Sequence, residues 1–300
     1  MKIYLFIFLV LVFIPSAQAA KPGEQAILWV SAQRDSAMGA VIAAQKRVDA
    51  AETDMRISRS VETDIRMSKD VEAMAVAREA VAISEQGLLE ANALLKQAKS
   101  WLQREENRLA SLQESVAKYG SDKALVIPIG SDVRRSMNGI SMNADPSIPL
   151  RVGERVEVGS QSRARVFVAG GDAEVALSQN SSFTVTSDDT GESFEAILSD
   201  GFAQVRAKLK NYFGKKFEVR TPAAVCAVRG TDFSLMSTAE GTRIEVFEGV
   251  VWAHLPNSDK GIEIHAGEGC NILKKGEIQS VKPLENLPRE NPWSDNVFKE

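Results

Sequence analysis

The stretch between Gly39 and Gly120 contains no proline, and Gly87 is the only glycine inside it. About eighty residues so poor in helix breakers predict long α-helices. Large apolar residues recur every seven positions, and mostly small residues follow three positions after them, which is typical of a coiled-coil seam that lets a partner helix approach closely. The large positions are Met67, Met74, Val81, Leu88, Leu95, Leu102, Leu109 and Val116, and the small ones include Ala77, Ser84, Ala91 and Ala98.

The seven-residue spacing is interrupted inside a near-repeat, "ETDMRISRSVETDIRMSKDVE", at 52–72. Upstream, Val41, Val48 and Met55 are also seven apart, but Met55 and Met67 are twelve apart. Alternating apolar residues within the repeat would also suit a strand. Both flanks are helical and no turn residue intervenes, so we predict helix here.

The interruption predicts one helix over 33–58 and a second over 62–118, with a bend or break near 58–60 and a stop at Lys118 and Gly120. The second helix cannot bury its seam alone. The first helix folded back, a second copy of the chain, or both would cover it, and the spacing leaves a hairpin and a single rod open. The repeat is interpreted as lengthening the coiled coil, with a docking surface as the alternative.

The first residues have the pattern of a secretory signal peptide. Lys2 precedes twelve apolar residues and a small-x-small site, which predicts removal of 1–19 after Ala19. An uncleaved anchor is the alternative, although the run is short of a bilayer span. No other long apolar run exists, so we expect a periplasmic or secreted mature chain without a transmembrane segment. A net charge of −4 gives no indication of nucleic-acid binding.

The sequence from 120 to 283 has the pattern of a β-rich domain. Short apolar-alternating runs such as "ARVFVAGGDAEVAL", "KFEVRT" and "TRIEVFEGVVWAHL" recur with turn residues about every ten positions, which predicts an all-β sandwich, roll or barrel. Glycine-containing turns are expected at 169–172 and 239–242. In the last of these runs Ile244, Val246, Val250, Trp252 and His254 would share one face, interrupted by a bulge or corner at Glu248 and Gly249.

This β-rich part contains a "TP" at 221–222, a "VRGTDF" at 228–233 and an "EG.V" at 248–251, between an opening at 150–177 and a closing "HAGEGCNIL" at 265–273. With these motifs in this order, it resembles the FecR domain family. The resemblance implies an all-β extracytoplasmic domain over roughly 121–283. The best-known members are inner-membrane regulators with a cytoplasmic segment that acts on a sigma factor. That segment is replaced here by a signal peptide and helices, so we do not carry the sigma-regulator activity over. The predicted fold class is therefore α+β in segregated parts: a helical coiled-coil region over 20–119, then an all-β FecR-like domain.

Four residues of this resemblance are the candidate binding site: Arg229, Gly230, Thr231 and Glu248. Gly230 is expected at a strand corner where a side chain would obstruct, and the Thr231 hydroxyl is expected to satisfy local backbone groups. Arg229 would pair with an acid such as Asp232 or Glu248, or else contact a ligand.

Cys226 and Cys270 are the two cysteines of the chain, and they would form a disulfide or remain two buried thiols. With His254 and His265 they could make a Cys₂His₂ metal site, but no close ligand spacing supports one. We therefore predict no metal and no cofactor. The tail at 284–300 is predicted to be disordered, with Trp293 and Phe298 as a candidate docking motif.

No catalytic motif is found, so we predict a protein that is not an enzyme. The leading hypothesis is an exported envelope scaffold: the coiled coil oligomerises it or acts as a spacer, and the β domain binds a protein or a glycan. The alternative is a periplasmic component of an export, efflux or signalling assembly.

Overall fold

The structure is a computed structural model that describes residues 21–68, 70–168, 173–189, 193–207, 216–228, 230–258 and 260–284. Two long helices precede seventeen strands within these residues. The predicted fold class, α+β in segregated parts, is therefore confirmed. The predicted signal peptide, the turn at 169–172, Arg229 and all of the tail beyond Leu284 lie outside the described residues.

The helices form an antiparallel hairpin, with α1 spanning Pro22–Ser68 and α2 spanning Val71–Tyr119. The predicted break near 58–60 is wrong, because α1 continues through the repeat. The reversal comes ten residues later, where Asp70 caps α2 by accepting hydrogen bonds from the N–H groups of Glu72 and Ala73 at 3.1 Å each. The repeat is helical on both sides of this reversal, as predicted.

The seam between the helices is tight and apolar near its middle. Small and large residues alternate there, in a cluster formed by Ala44, Val48, Ala91, Leu95 and Ala98. Further from the β part the seam becomes polar: the hydroxyls of Ser58 and Ser84 lie 2.9 Å apart, and Arg59 pairs with Glu85 at 3.2 Å. The first helix folded back is therefore the partner of α2 within one chain.

The β part begins directly after Gly120. Its first strands are β1 (Leu125–Ile129), β2 (Val133–Met137), β3 (Ile140–Asn143), β4 (Arg155–Val158), β5 (Arg163–Val168), β6 (Ala173–Leu177), β7 (Ser181–Asp189), β8 (Ser193–Ala207) and β9 (Lys216–Arg220). The later strands are β10 (Val225–Val228), β11 (Thr231–Ser237), β12 (Gly241–Glu248), β13 (Val250–His254), β14 (Gly261–His265), β15 (Glu268–Leu273), β16 (Glu277–Ile278) and β17 (Lys282–Pro283).

These strands form two sheets that share one long strand. Sheet A runs β1-β5-β6-β8-β11-β12-β15, with β16 and β17 beside β15. Sheet B runs β3-β2-β4-β7-β8-β9-β10-β13-β14. The pairing of β8 with β9 is parallel and the others are antiparallel. The first half of β8 belongs to sheet B and the second half to sheet A.

Gly201 lies where β8 passes from one sheet to the other. Its φ is +88°, and a Cβ there would lie 2.5 Å from the carbonyl oxygen of Asn180, so only glycine fits. The two sheets enclose one hydrophobic core, to which Val205, Phe233 and Ile244 contribute from sheet A and Phe183 and Val251 from sheet B. The β part is therefore a two-sheet sandwich.

The root of the hairpin is packed onto the outer face of sheet A. Ala26, Val30, Leu109 and Leu112 form a buried cluster with Leu125, Ile127 and Phe167. Polar contacts fix the same junction: the N–H of Gly23 donates to the carbonyl of Ser121 at 2.8 Å, and Arg108 donates to the carbonyl of Pro128 at 3.0 Å. The helices are thereby anchored to the sandwich.

Candidate functional site

The structure brings together three of the four predicted site residues at one corner of the sandwich. Thr231 begins β11, and the next residue on that strand, Asp232, pairs with Glu248 at the end of β12. Gly230 precedes the strand, and its carbonyl oxygen lies next to Gly249. Arg229 lies outside the described residues, so its predicted ion pair stays a prediction.

The glycine at this corner that has no room for a side chain is Gly249, and not Gly230 as expected. Gly230 has a φ of +65°, and a Cβ added to it would meet no atom within 4 Å. Glycine is therefore required at 230 by its backbone conformation, and the expectation that other atoms would obstruct a side chain there is wrong. A Cβ on Gly249, whose φ is +82°, would lie 2.5 Å from the carbonyl oxygen of Gly230 and 2.8 Å from Cγ2 of Thr231. The two glycines together form the corner.

The side chains at this corner are mainly structural. Thr231 is buried, and its hydroxyl makes no hydrogen bond to any residue that the structure describes, which differs from the expected backbone contact. The Asp232 carboxylate accepts hydrogen bonds from Nε2 of Gln204 at 2.5 Å and from Nε of Arg206 at 3.4 Å. Among the described residues of the candidate site, Gly230 and Glu248 are exposed, and Glu248 is the one of the two with a side chain. This part of the motif therefore has little surface with which to contact a ligand.

The corner also changes which side chains face the core. Before it, Ile244 and Val246 are buried in sheet A; after it, Val251 and Ala253 are buried in sheet B. The predicted common face is therefore wrong for Val250, Trp252 and His254, which lie on the outer face of sheet B. The bulge predicted at Glu248 and Gly249 is present, as a register shift between β11 and β12 and a positive φ at Gly249.

The two cysteines are buried as free thiols on opposite sheets. Cys226 lies on β10 of sheet B and Cys270 on β15 of sheet A, and both belong to the shared core. Burial raises the pKa of the Cys226 thiol, and the charge of Cys270 raises it further. Burial also raises the pKa of Cys270. Neither thiol is activated as a nucleophile, and their pairing in an oxidising compartment stays a prediction.

The histidines do not join the cysteines. His254 lies outside the core, with Nδ1 2.8 Å from the carbonyl oxygen of Leu255 and 3.0 Å from that of Ser258. His265 is more than half exposed, 3.9 Å from Glu263. Within the described ranges, no group of three or more His, Cys, Asp or Glu side chains is arranged to hold a metal ion.

One surface aromatic was not singled out by the sequence analysis as a candidate site. Trp252 lies on the outer face of sheet B and is 38% exposed, with Val250, 37% exposed, two positions before it on β13. In the register, Trp252 lies between Ala227 of β10 and Glu263 of β14. This part of the outer face of sheet B is therefore partly open to solvent.

No helix in the described part of the chain has a stretch long and apolar enough to span a bilayer.

Comparison with known proteins gives one family match. Residues 154–252, about a third of the chain, match the model of the family described as FecR protein. No curated protein matches the chain.

Two crystal structures of a candidate anti-sigma factor from Parabacteroides distasonis ATCC 8503, at 2.50 Å and 1.65 Å resolution, are similar to part of the fold. Each is 21% identical, with a TM-score of 0.37, over 43% of this chain. The match spans 59% of the length of those chains, so it supports no assignment of function. The family match lies entirely within the sandwich and includes Gly230, Thr231, Glu248 and Trp252, so residues 154–252 of the β part are FecR-like.

Proposed function

We propose that this protein is a non-enzymatic envelope protein that acts in signalling or assembly by binding. Its hairpin associates with a second copy of the chain, and its FecR-like sandwich binds a protein or glycan partner. The FecR match and the predicted signal peptide support a place in the envelope, periplasmic or secreted. The observation that carries the proposal is the exposed apolar surface on the distal part of the hairpin.

That surface lies far from the sandwich. Between residues 56 and 84, Ala77 is the only buried residue within the described part of the chain. Six large apolar residues in the same stretch are between 45% and 85% exposed: Ile57, Val61, Met67, Val71, Val76 and Ile83. Exposed apolar side chains so concentrated in one part of a protein indicate an interaction site.

The seven-residue row on α2 is covered by α1 or the sandwich, and the exposed apolar residues of α2 in the distal stretch lie outside this row. Leu95 and Leu109 are buried and Met74 and Val81 are half-buried, whereas Val76 is 66% exposed and Ile83 is 67% exposed. Val76 and Ile83 each lie two positions after a member of the row, which places them on the side of α2 that faces away from α1. A second hairpin packed on this side would form a four-helix bundle.

Charge does not oppose such pairing. The distal stretch carries basic and acidic residues interspersed along both helices: Arg56, Arg59, Arg66 and Arg78 with Glu62, Asp64, Glu72 and Glu79. A surface of mixed sign can be placed beside a copy of itself without the repulsion of a single-sign face.

Light scattering during size exclusion of residues 20–300 tests this. The wild type should elute as a dimer or larger oligomer, and Ile83→Glu should elute as a monomer because a charge enters the apolar face. Ile140→Glu is the matched control, since Ile140 on β3 is 66% exposed and Ile83 is 67% exposed. A wild type that stays monomeric at its highest soluble concentration rejects self-association.

The second candidate function is a periplasmic component of an export, efflux or signalling assembly, in which another protein covers the same surface. The exposure of Met67 and Val71 at the hairpin end, 83% and 85%, favours it, because these residues face outward from the turn. A monomeric wild type that binds one envelope component, together with loss of that binding in Ile83→Glu but not in Ile140→Glu, would support this candidate.

A further inference from the structure

On the outer face of sheet B, Trp252 lies beside two small residues. Trp252 is flanked in the register by Ala227, and the diagonal neighbour on β14 is Gly261. A Cβ added to Gly261 would lie 2.7 Å from Cζ2 and 2.8 Å from Cε2 of the indole. The indole therefore lies against the backbone of Gly261, in space that a larger residue would fill, and 38% of Trp252 remains exposed.

A carboxylate stands directly beside this ring. Glu263 pairs with Trp252 across β13 and β14, and its side chain is 62% exposed. The Glu263 carboxylate lies 3.9 Å from Nε2 of His265, which is an ion pair only when the imidazole is protonated. A second carboxylate, Glu218, lies beyond Ala227 but is already held by Arg220 at 2.9 Å. Glu263 is thus the carboxylate available to a ligand at this ring.

An exposed tryptophan beside an open carboxylate fits a cation. The face of an indole attracts ammonium and guanidinium groups more strongly than the faces of other aromatic side chains. The neighbouring carboxylate adds a charge-assisted hydrogen bond to the same group. Val250, 37% exposed and on the same face, would contact the apolar stem of a lysine or arginine.

We propose that Trp252 and Glu263 form a binding site for a lysine or arginine side chain of a partner protein. This inference rests on the proposed binding role of the sandwich and names the chemistry of its partner. The guanidinium or ammonium group stacks on the indole and donates to the Glu263 carboxylate. A neutral glycan would use the indole but gain nothing from the charge of Glu263, so a cationic partner uses both residues.

Titration calorimetry on residues 20–300 tests the site with two peptides: one alternates arginine and glycine, and the other replaces each arginine by citrulline, a neutral isostere. The arginine peptide should bind and the citrulline peptide should bind much more weakly. Trp252→Leu should weaken binding roughly threefold to thirtyfold. Glu263→Gln should weaken it by a factor of roughly two to five and reduce its dependence on salt.

The matched control is Glu277→Gln, which removes a carboxylate of similar exposure, 53%, from β16 at the other sheet. It should bind like the wild type, and circular dichroism should show that each variant is folded. Equal binding of both peptides, or unchanged binding by Trp252→Leu, would overturn the inference. A neutral oligosaccharide that binds through Trp252 while the arginine peptide does not would also overturn it. These results leave the oligomer test unaffected, so the two proposals can fail separately.

Discussion

The guanidinium of Arg165 lies over the indole of Trp29, with Cζ 4.5 Å from the ring centroid. Trp29 belongs to α1 and Arg165 to β5, so this contact joins the hairpin to sheet A. The Arg165 side chain is only 4% exposed, and it also pairs with Glu174 of β6. A buried cation is held in this way between an aromatic face and a carboxylate, at the junction on which the orientation of the hairpin depends.

Trp29→Leu should lower the free energy of unfolding by about 1–3 kcal/mol, because the half-buried indole and its cation–π contact are both lost. Urea denaturation followed by circular dichroism would measure the change. In a double-mutant cycle with Arg165→Met, the two residues should couple by about 1 kcal/mol. The control Arg134→Met, at a 60% exposed side chain, should show no coupling to Trp29. Strict additivity of Trp29→Leu and Arg165→Met would contradict the contact.

A second buried ion pair fixes the segment where the family match begins. Arg135 on β2 donates to both carboxylate oxygens of Glu154 and to the carbonyls of Ile148 and Pro149. Both side chains are less than 10% exposed. Glu154→Gln should therefore cost about 3 kcal/mol at neutral pH, because the guanidinium stays buried without its counter-charge. Glu157→Gln, at an exposed carboxylate 3.8 Å from Arg155, should cost far less.

The ion pair of Arg135 and Glu154 also predicts that the stability of the protein depends on pH. Burial by itself raises the pKa of Glu154, but hydrogen bonds from Arg135 and from the N–H of Arg151 outweigh it, so the pKa is lowered. Because the pKa of Glu154 is lower in the folded protein than in the unfolded chain, where it is about 4.3, ionised Glu154 stabilises the fold at pH values above about 4.3. This stabilisation is lost as the pH falls through the pKa of the folded state. The wild type and Glu154→Gln should therefore converge in stability as pH falls below about 4. A difference that stays constant with pH would contradict this.

The division into helices and strands could be predicted because it depends on local spacing. Heptads without breakers form helices, and alternating runs with turns form strands. The position of the helix reversal could not be predicted from the serines of the repeat, because serine at 58 and 60 is compatible with a continuing helix. The useful signal was Asp70, which caps α2 through two backbone N–H groups.

Two errors in the β part came from interactions that sequence spacing does not show. The hairpin of β2 and β3 has Asn138 and Gly139 at its turn, with φ of +52° and +80°, a strong local signal. The run "VRRSM" of β2 has too few apolar residues to indicate a strand by its spacing, because Arg135 is buried through its ion pair with Glu154, nineteen positions away. The face of Trp252 was misassigned because the corner at Gly249 moves the chain from one sheet to the other.

The corner glycines should respond differently to alanine. Gly249→Ala should destabilise the protein by at least about 3 kcal/mol, since a positive φ and a backbone overlap at 2.5 Å act together. Gly230→Ala should cost about 1–2 kcal/mol, because only the positive φ opposes it. Chemical denaturation of both variants measures the difference. Equal costs would show that the close approach of Gly249 to Gly230 does not exist in solution.

The buried thiols should resist alkylation in the folded protein. The thiolate is the reactive form, and burial raises the pKa of both cysteines, so few thiolates exist at mildly alkaline pH. Cys226 is fully buried, whereas Cys270 lines a surface cavity of about 170 Å³ beside Arg243 and Lys282.

Iodoacetamide followed by mass spectrometry should therefore modify Cys270 before Cys226 in the reduced, folded protein, and both at once in urea. Fast modification of Cys226 in the folded state would contradict its burial. The same measurement on exported protein without reductant decides between a disulfide and two free thiols, because bonded cysteines react with iodoacetamide only after reduction.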